Sequence, residues 1–476
     1  MAFSVLIIIA VNLIFFTRTI WYGYVSDDCM ASGAKEPIFK NKLHYFWIHF
    51  IGLRFANSKF THSLNLIVHT ATCVLVYLVM LKLFHIQAVA LLTALFCSIN
   101  PVNTQGGSVW IAGKLYASSA MFTLLMFLLP YISPLFYLFS IQFFTVSAIP
   151  SPLLFIPTKL WYLSFLLPIG IIVLRKKIVA QQFLIKADTA TPVMKEFKPY
   201  KIILFLKTFA YYTLLAIWPM RLGHYHQFLY EWGVSEQDNK DGRSLDLYFW
   251  IGLLLAPAMA TVMFLNWRNP LGFGIWWWFV AITPWCNIIT VQMCVAERYV
   301  YLPAIGLMLS LAYVISLLPA PYNYVLATAF LSFYATKLWI HTPAYKDERA
   351  LAFRNHFDFP DFYYPYSWIG MFYKDQGRRY EALGWWTDAL DRRPLDFKVL
   401  FNLSHMMGEL GYLKEANELL EKVKKSLIPN GLEKNLLAMI ENRQKHVRAA
   451  IEQSQIATQN QIIELAKNIK KGEQLK

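Results

Sequence analysis

Val5-Leu6-Ile7-Ile8-Ile9-Ala10-Val11-Asn12-Leu13-Ile14-Phe15-Phe16 is an apolar run broken only by Asn12. It leads into Trp21-Tyr22-Gly23-Tyr24-Val25-Ser26-Asp27-Asp28-Cys29. The run from 3 to 20 has the length of a helix that crosses a bilayer, about twenty residues. The two adjacent carboxylates that follow it therefore sit at a membrane surface. Charge in that position is costly to dehydrate and commonly marks a function, although a solvated loop with two neighbouring acids is the plain alternative.

The rest of the chain extends this reading. Of 476 residues, 57% are hydrophobic and 15% charged, and the mean hydropathy is +0.39, far from an ordinary soluble domain. Apolar runs predict about eleven spans, near 3–20, 63–84, 87–100, 113–129, 131–148, 152–174, 202–219, 247–266, 271–289, 300–318 and 322–340. Pro130, Pro134, Pro150 and Pro152 blur the fourth to sixth. The first span lacks an early basic region and a small-residue cleavage site, and is expected to remain as an anchor. Basic residues orient the whole. The loop with Arg175, Lys176, Lys177, Lys186, Lys195, Lys198 and Lys201 is the most basic short connection. Placing it in the cytoplasm puts the N-terminus there too. The loops 21–62, 100–112, 220–246 and 290–299, and everything past His341, then face the periplasm, the ER lumen or an equivalent.

The formal charge of +15 does not point to nucleic acid, because much of it lies in cytoplasmic loops and the C-terminal tail, where it faces anionic lipid. Five cysteines are too few for a disulfide scaffold. Cys73, Cys97 and Cys286 fall in apolar runs as small buried hydrophobes, while Cys29 and Cys294 share the outer side, where a bridge is one option. Residues 33–62 interleave Lys35, Phe39, Lys40, Tyr45, Trp47 and Arg54. That pattern suits a helix in the headgroup layer, either steering a phospholipid-like substrate or simply anchoring the chain.

Further polar groups converge on the outer side. His62, Asn65 and His69 share one face of the second span. The two histidines are two turns apart with no matching Cys or Glu motif, which argues against a metal site. Asn100-Pro101-Val102-Asn103-Thr104-Gln105-Gly106-Gly107 leads to Gly113-Lys114. Pro101 and the glycines break the helix where backbone needs a wet or protein-lined setting. Lys114 could meet a phosphate or snorkel at a span end. Arg221, His224, His226 and Glu231 lie on the same side. Glu297-Arg298-Tyr299 through Pro303 puts a carboxylate and a forked guanidinium at a span start, suited to phosphate or to a local ion pair.

Past 341 the composition turns charged and amphipathic, dividing the chain into a membrane domain, 1–341, and a helical domain, 342–476. Gly377, Glu381 and Ala382 recur as Gly411, Glu415 and Ala416, a period of 34 residues. Gly370, Tyr373, Ala382, Trp386, Ala389 and Pro394 carry the small/large spacing of a tetratricopeptide (TPR) repeat. A second unit matches through Leu403, Ala416 and Leu420, and a third near 431–456 keeps little beyond Ala450. Such solenoids bind peptides or partner proteins, or cap the membrane domain.

The ordered set resembles the transmembrane-and-TPR O-mannosyltransferases and their bacterial relatives, within the C-type (GT-C) glycosyltransferase superfamily. The resemblance runs through Asp27-Asp28, the His62/Asn65/His69 span, Asn100–Gln105, Gly113-Lys114, Glu297–Pro303 and Tyr345-Lys346-Asp347-Glu348, and covers most of the chain. It implies an all-α membrane enzyme that moves a sugar, often mannose, from a polyprenyl- or dolichyl-phosphate donor to a Ser or Thr hydroxyl, with inversion. No resident cofactor is implied beyond the lipid-linked donor. Asp27 or Asp28 would act as general base, the other orienting the acceptor or a divalent cation. Arg298 and Lys114, with Glu297 beside them, would meet the donor phosphate. His62, Asn65, His69, Asn100, Asn103, Gln105 and His224 would line the sugar or acceptor. The family usually reads His-Pro-Val-His-Thr-Glu where this chain has Asn100, Asn103 and Gln105, so two imidazoles and a carboxylate are replaced by amides.

Gln105 favours a second reading, a catalytically degenerate scaffold that holds a membrane assembly through its TPR face. Retention of Asp27, Asp28, Glu297 and Arg298 argues against it. A transporter would show internal symmetry and mid-membrane charge, and neither is visible. Transfer of a preassembled oligosaccharide would need a larger outer cavity.

Overall fold

The computed structural model describes residues 1–26, 28, 58–142, 148–172, 200–226, 244–287, 295–394, 396–427 and 434–473. Expectations placed on Asp27, Cys29, the aromatic–basic stretch up to 57, the basic loop up to 198, Glu231 and Cys294 lie outside these residues. Every regular element among the described residues is helical. The chain forms two compact units, one ending at Phe359 and one running from Pro360. The change of composition after 341 and this division do not coincide. Thr342–Asp358 is charged in sequence yet belongs to the first unit, where buried Ala344, Tyr345, Leu351 and Ala352 anchor it.

The first unit contains α1 (Ala2–Phe16), α2 (Ser58–Phe84), α3 (Gln87–Ile99), α4 (Lys114–Leu128), α5 (Ser133–Gln142), α6 (Tyr200–Ile217), α7 (Leu247–Leu265), α8 (Pro270–Ile282), α9 (Tyr301–Ser316), α10 (Tyr322–His341) and α11 (Glu348–Asp358). Four stretches are long and apolar enough to cross a membrane: Ala2–Trp21, Ser58–Phe84, Leu247–Leu265 and Glu297–Ser316. Other expected spans are shorter. Gln87–Ile99, Lys114–Leu128, Pro130–Ile141 and Trp161–Ile172 are apolar helices below that length. The prolines give one reason: Pro130 and Pro152 each open a short 3-10 turn where a continuous helix would need backbone N–H donors.

α2, α3 and α9 form the centre, with α1 against α2 and α3, and α4 against α2. Buried polar side chains tie these helices together. Asn12 Nδ2 donates to Ser98 Oγ at 3.0 Å, and His69 joins the Tyr301 hydroxyl (2.6 Å) to the Ser98 carbonyl (3.1 Å). α8 and α9 pack through reciprocal glycines: a Cβ on Gly274 would strike the Gly306 carbonyl, and one on Gly306 the Gly274 carbonyl. Close backbone approach at small residues is the usual contact between helices in lipid.

The second unit contains α12 (Tyr363–Asp375), α13 (Arg379–Arg392), α14 (Phe397–Glu409), α15 (Leu413–Leu427) and α16 (Lys434–Glu473). α12 packs on α13 and α14 on α15. Both pairs turn at a glycine of positive φ, Gly377 at 74° and Gly411 at 89°, a conformation only glycine adopts without strain. Leu400, Ala416, Leu420, Val423, Ile440 and Val447 form a core shared by α14, α15 and α16.

Gly306→Leu should force α8 and α9 apart. Overpacking of this kind costs about 1–3 kcal/mol or more, read as a lower unfolding temperature of the detergent-solubilised protein. An unchanged unfolding temperature would refute the glycine contact.

Candidate functional site

The loop between α3 and α4 builds the site. Asn100 Oδ1 accepts the Val102 N–H at 3.1 Å and opens a 3-10 turn, Pro101–Thr104, which the Thr104 hydroxyl closes on the Pro101 carbonyl at 2.8 Å. Gly107, at φ 120°, and Gly113 then fold the chain back on itself. A Cβ on Gly113 would strike the Gln105 carbonyl, so only glycine permits the approach. The turn Pro101–Thr104 packs against a second 3-10 turn, Glu297–Val300, at the head of α9.

This contact brings Gln105 to Arg298. Gln105 Oε1 accepts the Arg298 backbone N–H at 3.1 Å and its Nη1 at 3.2 Å. On its other side Gln105 Nε2 donates to the His224 carbonyl at 2.8 Å and lies 3.3 Å from His224 Nδ1. His224 Nε2 is 3.0 Å from the Ser26 hydroxyl, and the Trp110 ring meets His224 edge-on, centroids 4.9 Å apart. The Arg298 guanidinium lies between Trp110 and Tyr299, at 5.5 and 5.0 Å from their ring centroids.

Asp28 reaches the same loop. It is buried, with Oδ1 accepting the Ala112 N–H at 2.9 Å and Oδ2 the Val25 N–H at 3.1 Å. Lys114, two residues beyond Ala112, is 2% exposed and within electrostatic reach of Asp28 and His62. Its ammonium has no hydrogen-bond partner among the described residues. His62 Nε2 lies 3.3 Å from the Gly23 carbonyl. The 22–28 stretch is itself held from the start of α11: Gly23 N–H donates to the Lys346 carbonyl (2.9 Å) and Ser26 N–H to Glu348 Oε2 (2.7 Å). Ser26 takes a positive φ of 54°, uncommon for a residue with a side chain.

Glu297, expected beside the donor phosphate, faces the 223–226 loop. Its Oε1 accepts the Gly223 N–H at 2.6 Å and lies 3.0 Å from His226 Nε2, while His226 Nδ1 meets the Tyr211 hydroxyl at 2.8 Å. Glu297 Oε2 is 3.8 Å from His341 Nε2. Asn355 brackets the same loop, accepting the Tyr225 N–H and donating to its carbonyl, both at 3.1 Å.

Four of the residues expected to bind sugar hydrogen-bond backbone carbonyls in this structure. Asn65 Nδ2 donates to the Trp110 carbonyl at 3.0 Å, Asn100 Nδ2 to the Ala216 carbonyl at 2.9 Å and Asn103 Nδ2 to the Cys97 carbonyl at 2.8 Å. His69 uses both ring nitrogens, as described above. The structure thus gathers Asp28, His62, Lys114, Gln105, His224 and Arg298. Sequence reasoning passed over Ser26, His341, Asn355 and Glu348 as functional groups. Of these, only Glu348 carried a signal, as the last acid of the Tyr345–Glu348 stretch. Among the described residues, no group of three or more His, Cys, Asp or Glu side chains is disposed to hold a metal ion.

No protein-family model, no curated protein and no solved structure matches this chain.

Asp28→Asn leaves one of two buried N–H groups facing an amide NH2 in place of an oxygen. An unsatisfied buried donor costs about 1–3 kcal/mol, so the variant should unfold at lower temperature in a thermal melt of the purified protein. His224 supplies a pH dependence. Burial, followed by the Arg298 charge, holds its imidazole well below the ordinary 6.5. As pH falls, the unfolded chain therefore takes the proton first. The stability tied to a neutral His224 is complete above about pH 6.5 and is lost below it. Melts between pH 7 and 5 should show this decline, and His224→Gln should make it shallower. An equal slope in the variant would rule the assignment out.

Proposed function

We propose that this chain is an integral-membrane glycosyltransferase of the GT-C type. It moves a sugar, mannose or a similar hexose, from a polyprenyl- or dolichyl-phosphate donor to a Ser or Thr hydroxyl on the outer side of the membrane, with inversion. One observation carries the reading: Lys114 presents a buried ammonium that has no hydrogen-bond partner among the described residues, within electrostatic reach of the Asp28 carboxylate. A buried cation left this way is costly unless an anion completes it. A phosphate ester seated there would do so, and Arg298 joins the same loop through Gln105 and Trp110.

The chemistry follows from these groups. The acceptor oxygen attacks the anomeric carbon from the face opposite the phosphate. Asp28, or Asp27 beside it, takes the hydroxyl proton. The bond from the anomeric carbon to the phosphate oxygen breaks, and the departing lipid phosphate is held by Lys114 and Arg298. His62 is within electrostatic reach of Lys114, and the Trp110 indole lies against Arg298. Acceptors are proteins of the outer compartment, and lipid supplies the donor.

The topology in this proposal has about eleven spans, the N-terminus in the cytoplasm of a bacterial or ER membrane, and the second unit on the periplasmic or lumenal side. That unit is read as TPR-like. Support comes from the matched glycine turns at 377 and 411, and from Gly370, whose missing Cβ makes room for the Trp386 indole. It would present acceptor proteins or a partner subunit.

One observation favours a non-enzymatic scaffold as the second reading. An amide, Gln105, faces Arg298 where the family has a carboxylate, and its neighbours Asn100 and Asn103 serve backbone groups.

Lys114→Met separates the two. The substitution removes an ammonium that has no hydrogen-bond partner among the described residues, at similar volume, and Asp28 keeps its two backbone N–H donors, so the unfolding temperature should hold within about 1 kcal/mol of stability. Sugar transfer should drop by about a hundredfold or more, the usual loss when a charge-stabilising donor is removed. The measurement is mass spectrometry of outer-side glycoproteins in cells carrying each variant. Asp27→Asn should likewise abolish transfer if it is the base. Full glycosylation with Lys114→Met, Asp27→Asn and Asp28→Asn, each at normal protein level, would leave only the scaffold.

A further inference from the structure

The hydrogen bonds from Arg298 to Ser26 run in one direction, and that direction can be deduced. Gln105 Oε1 receives two N–H donors from Arg298, so that end of the amide is the oxygen. The other end donates to the His224 carbonyl, as an NH2 must. The two ends agree, which fixes the amide orientation by chemistry. The same NH2 faces His224 Nδ1 at 3.3 Å. Because an amide nitrogen only donates, Nδ1 carries no proton, and a neutral His224 holds its proton on Nε2. Nε2 then donates to the Ser26 hydroxyl 3.0 Å away.

Two consequences follow. A serine–histidine nucleophile pair is excluded, because that chemistry needs an unprotonated Nε2 to take the serine proton. Ser26 Oγ, as acceptor of the histidine proton, turns its own O–H elsewhere. Gln105 and His224 are fully buried, whereas Ser26 is half-buried. Its backbone is pinned by Glu348 in a left-handed conformation. Ser26 is thus where the chain of hydrogen bonds meets the accessible side, within the stretch that carries Asp28.

We propose that Ser26 is a specificity-determining residue whose hydroxyl, polarised by the Arg298–Gln105–His224 relay, donates to a hydroxyl or ring oxygen of the transferred sugar. This rests on the sugar-transfer reading above. It adds a residue and a direction that the reading does not require. A Glu at 105 would reverse the relay: its second oxygen would draw the proton to His224 Nδ1, Nε2 would become an acceptor, and the Ser26 O–H would turn back to it.

The test uses full-length protein in detergent with two readouts. The first is nitrogen NMR of histidine-labelled protein, assigned with His224→Gln. The wild type should show His224 protonated at Nε2, and Gln105→Glu should move the proton to Nδ1. The second is binding of a short-chain polyprenyl-phosphate mannose against the same polyprenyl phosphate without sugar. Ser26→Ala should weaken the sugar-bearing lipid by about five- to tenfold, the worth of one neutral hydrogen bond, and leave the bare phosphate lipid unchanged. Gln105→Glu should give a similar loss, and the double variant should lose no more than either single change, since both act through one hydroxyl. A wild-type proton at Nδ1 overturns the relay. Equal binding of the mannose lipid by wild type and Ser26→Ala overturns the role of Ser26 alone. A wild type that binds neither lipid overturns the sugar-transfer reading, and with it the substrate assigned to Ser26, while the tautomer result still stands.

Discussion

The approach of Gly113 to the Gln105 backbone is the constraint on which the site depends. Without it the loop between α3 and α4 would run past the head of α9 and Gln105 would not reach Arg298. Two glycines make the fold-back possible, Gly107 through a backbone angle closed to other residues and Gly113 through the missing Cβ. The loop then has two working ends. Gln105 joins Arg298 to His224, and a few residues on, Ala112 and Lys114 meet Asp28.

Buried polar groups in this unit separate into two kinds. Asn65, His69, Asn100 and Asn103 lie where helices end or cross, and each supplies a hydrogen bond to a backbone carbonyl. In apolar surroundings an unmet carbonyl is expensive, so an amide or imidazole in such a place is ordinary structural material. Lys114 differs in kind. It is a cation, buried as they are, whose ammonium has no hydrogen-bond partner among the described residues. Local conflicts of this sort concentrate at functional sites.

Sequence pattern made the helical class, the apolar runs and the polar motifs between them visible, because composition and period are local properties. It also brought forward Asp28, Lys114, His224 and Arg298, each a charged or titratable group beside an apolar run. It did not separate structural amides from site residues. Asn100 and Gln105 stand five positions apart in one motif, and only the fold-back tells which carbonyl each can reach. Ser26 gave no signal, since a loop serine is common and its importance comes from His224, far along the chain. The length of the spans was overestimated where proline opens 3-10 turns, because hydropathy records apolar character and is blind to missing donors.

Glu297 and Arg298 read in sequence as a phosphate-binding pair or a local ion pair, yet their side chains serve different elements. The 3-10 turn at Glu297–Val300 sends the carboxylate to Gly223 and His226 and the guanidinium to Gln105. Gly223 and His226 flank His224. The acid therefore holds the Gly223 backbone before this histidine and the His226 ring after it, while the neighbouring base sets, through Gln105, which of its nitrogens carries the proton. Position and polarity of one imidazole are controlled by two consecutive residues of one turn. A shift of that turn would disturb both at once, which is why its packing against Pro101–Thr104 matters more to the site than any single hydrogen bond within it.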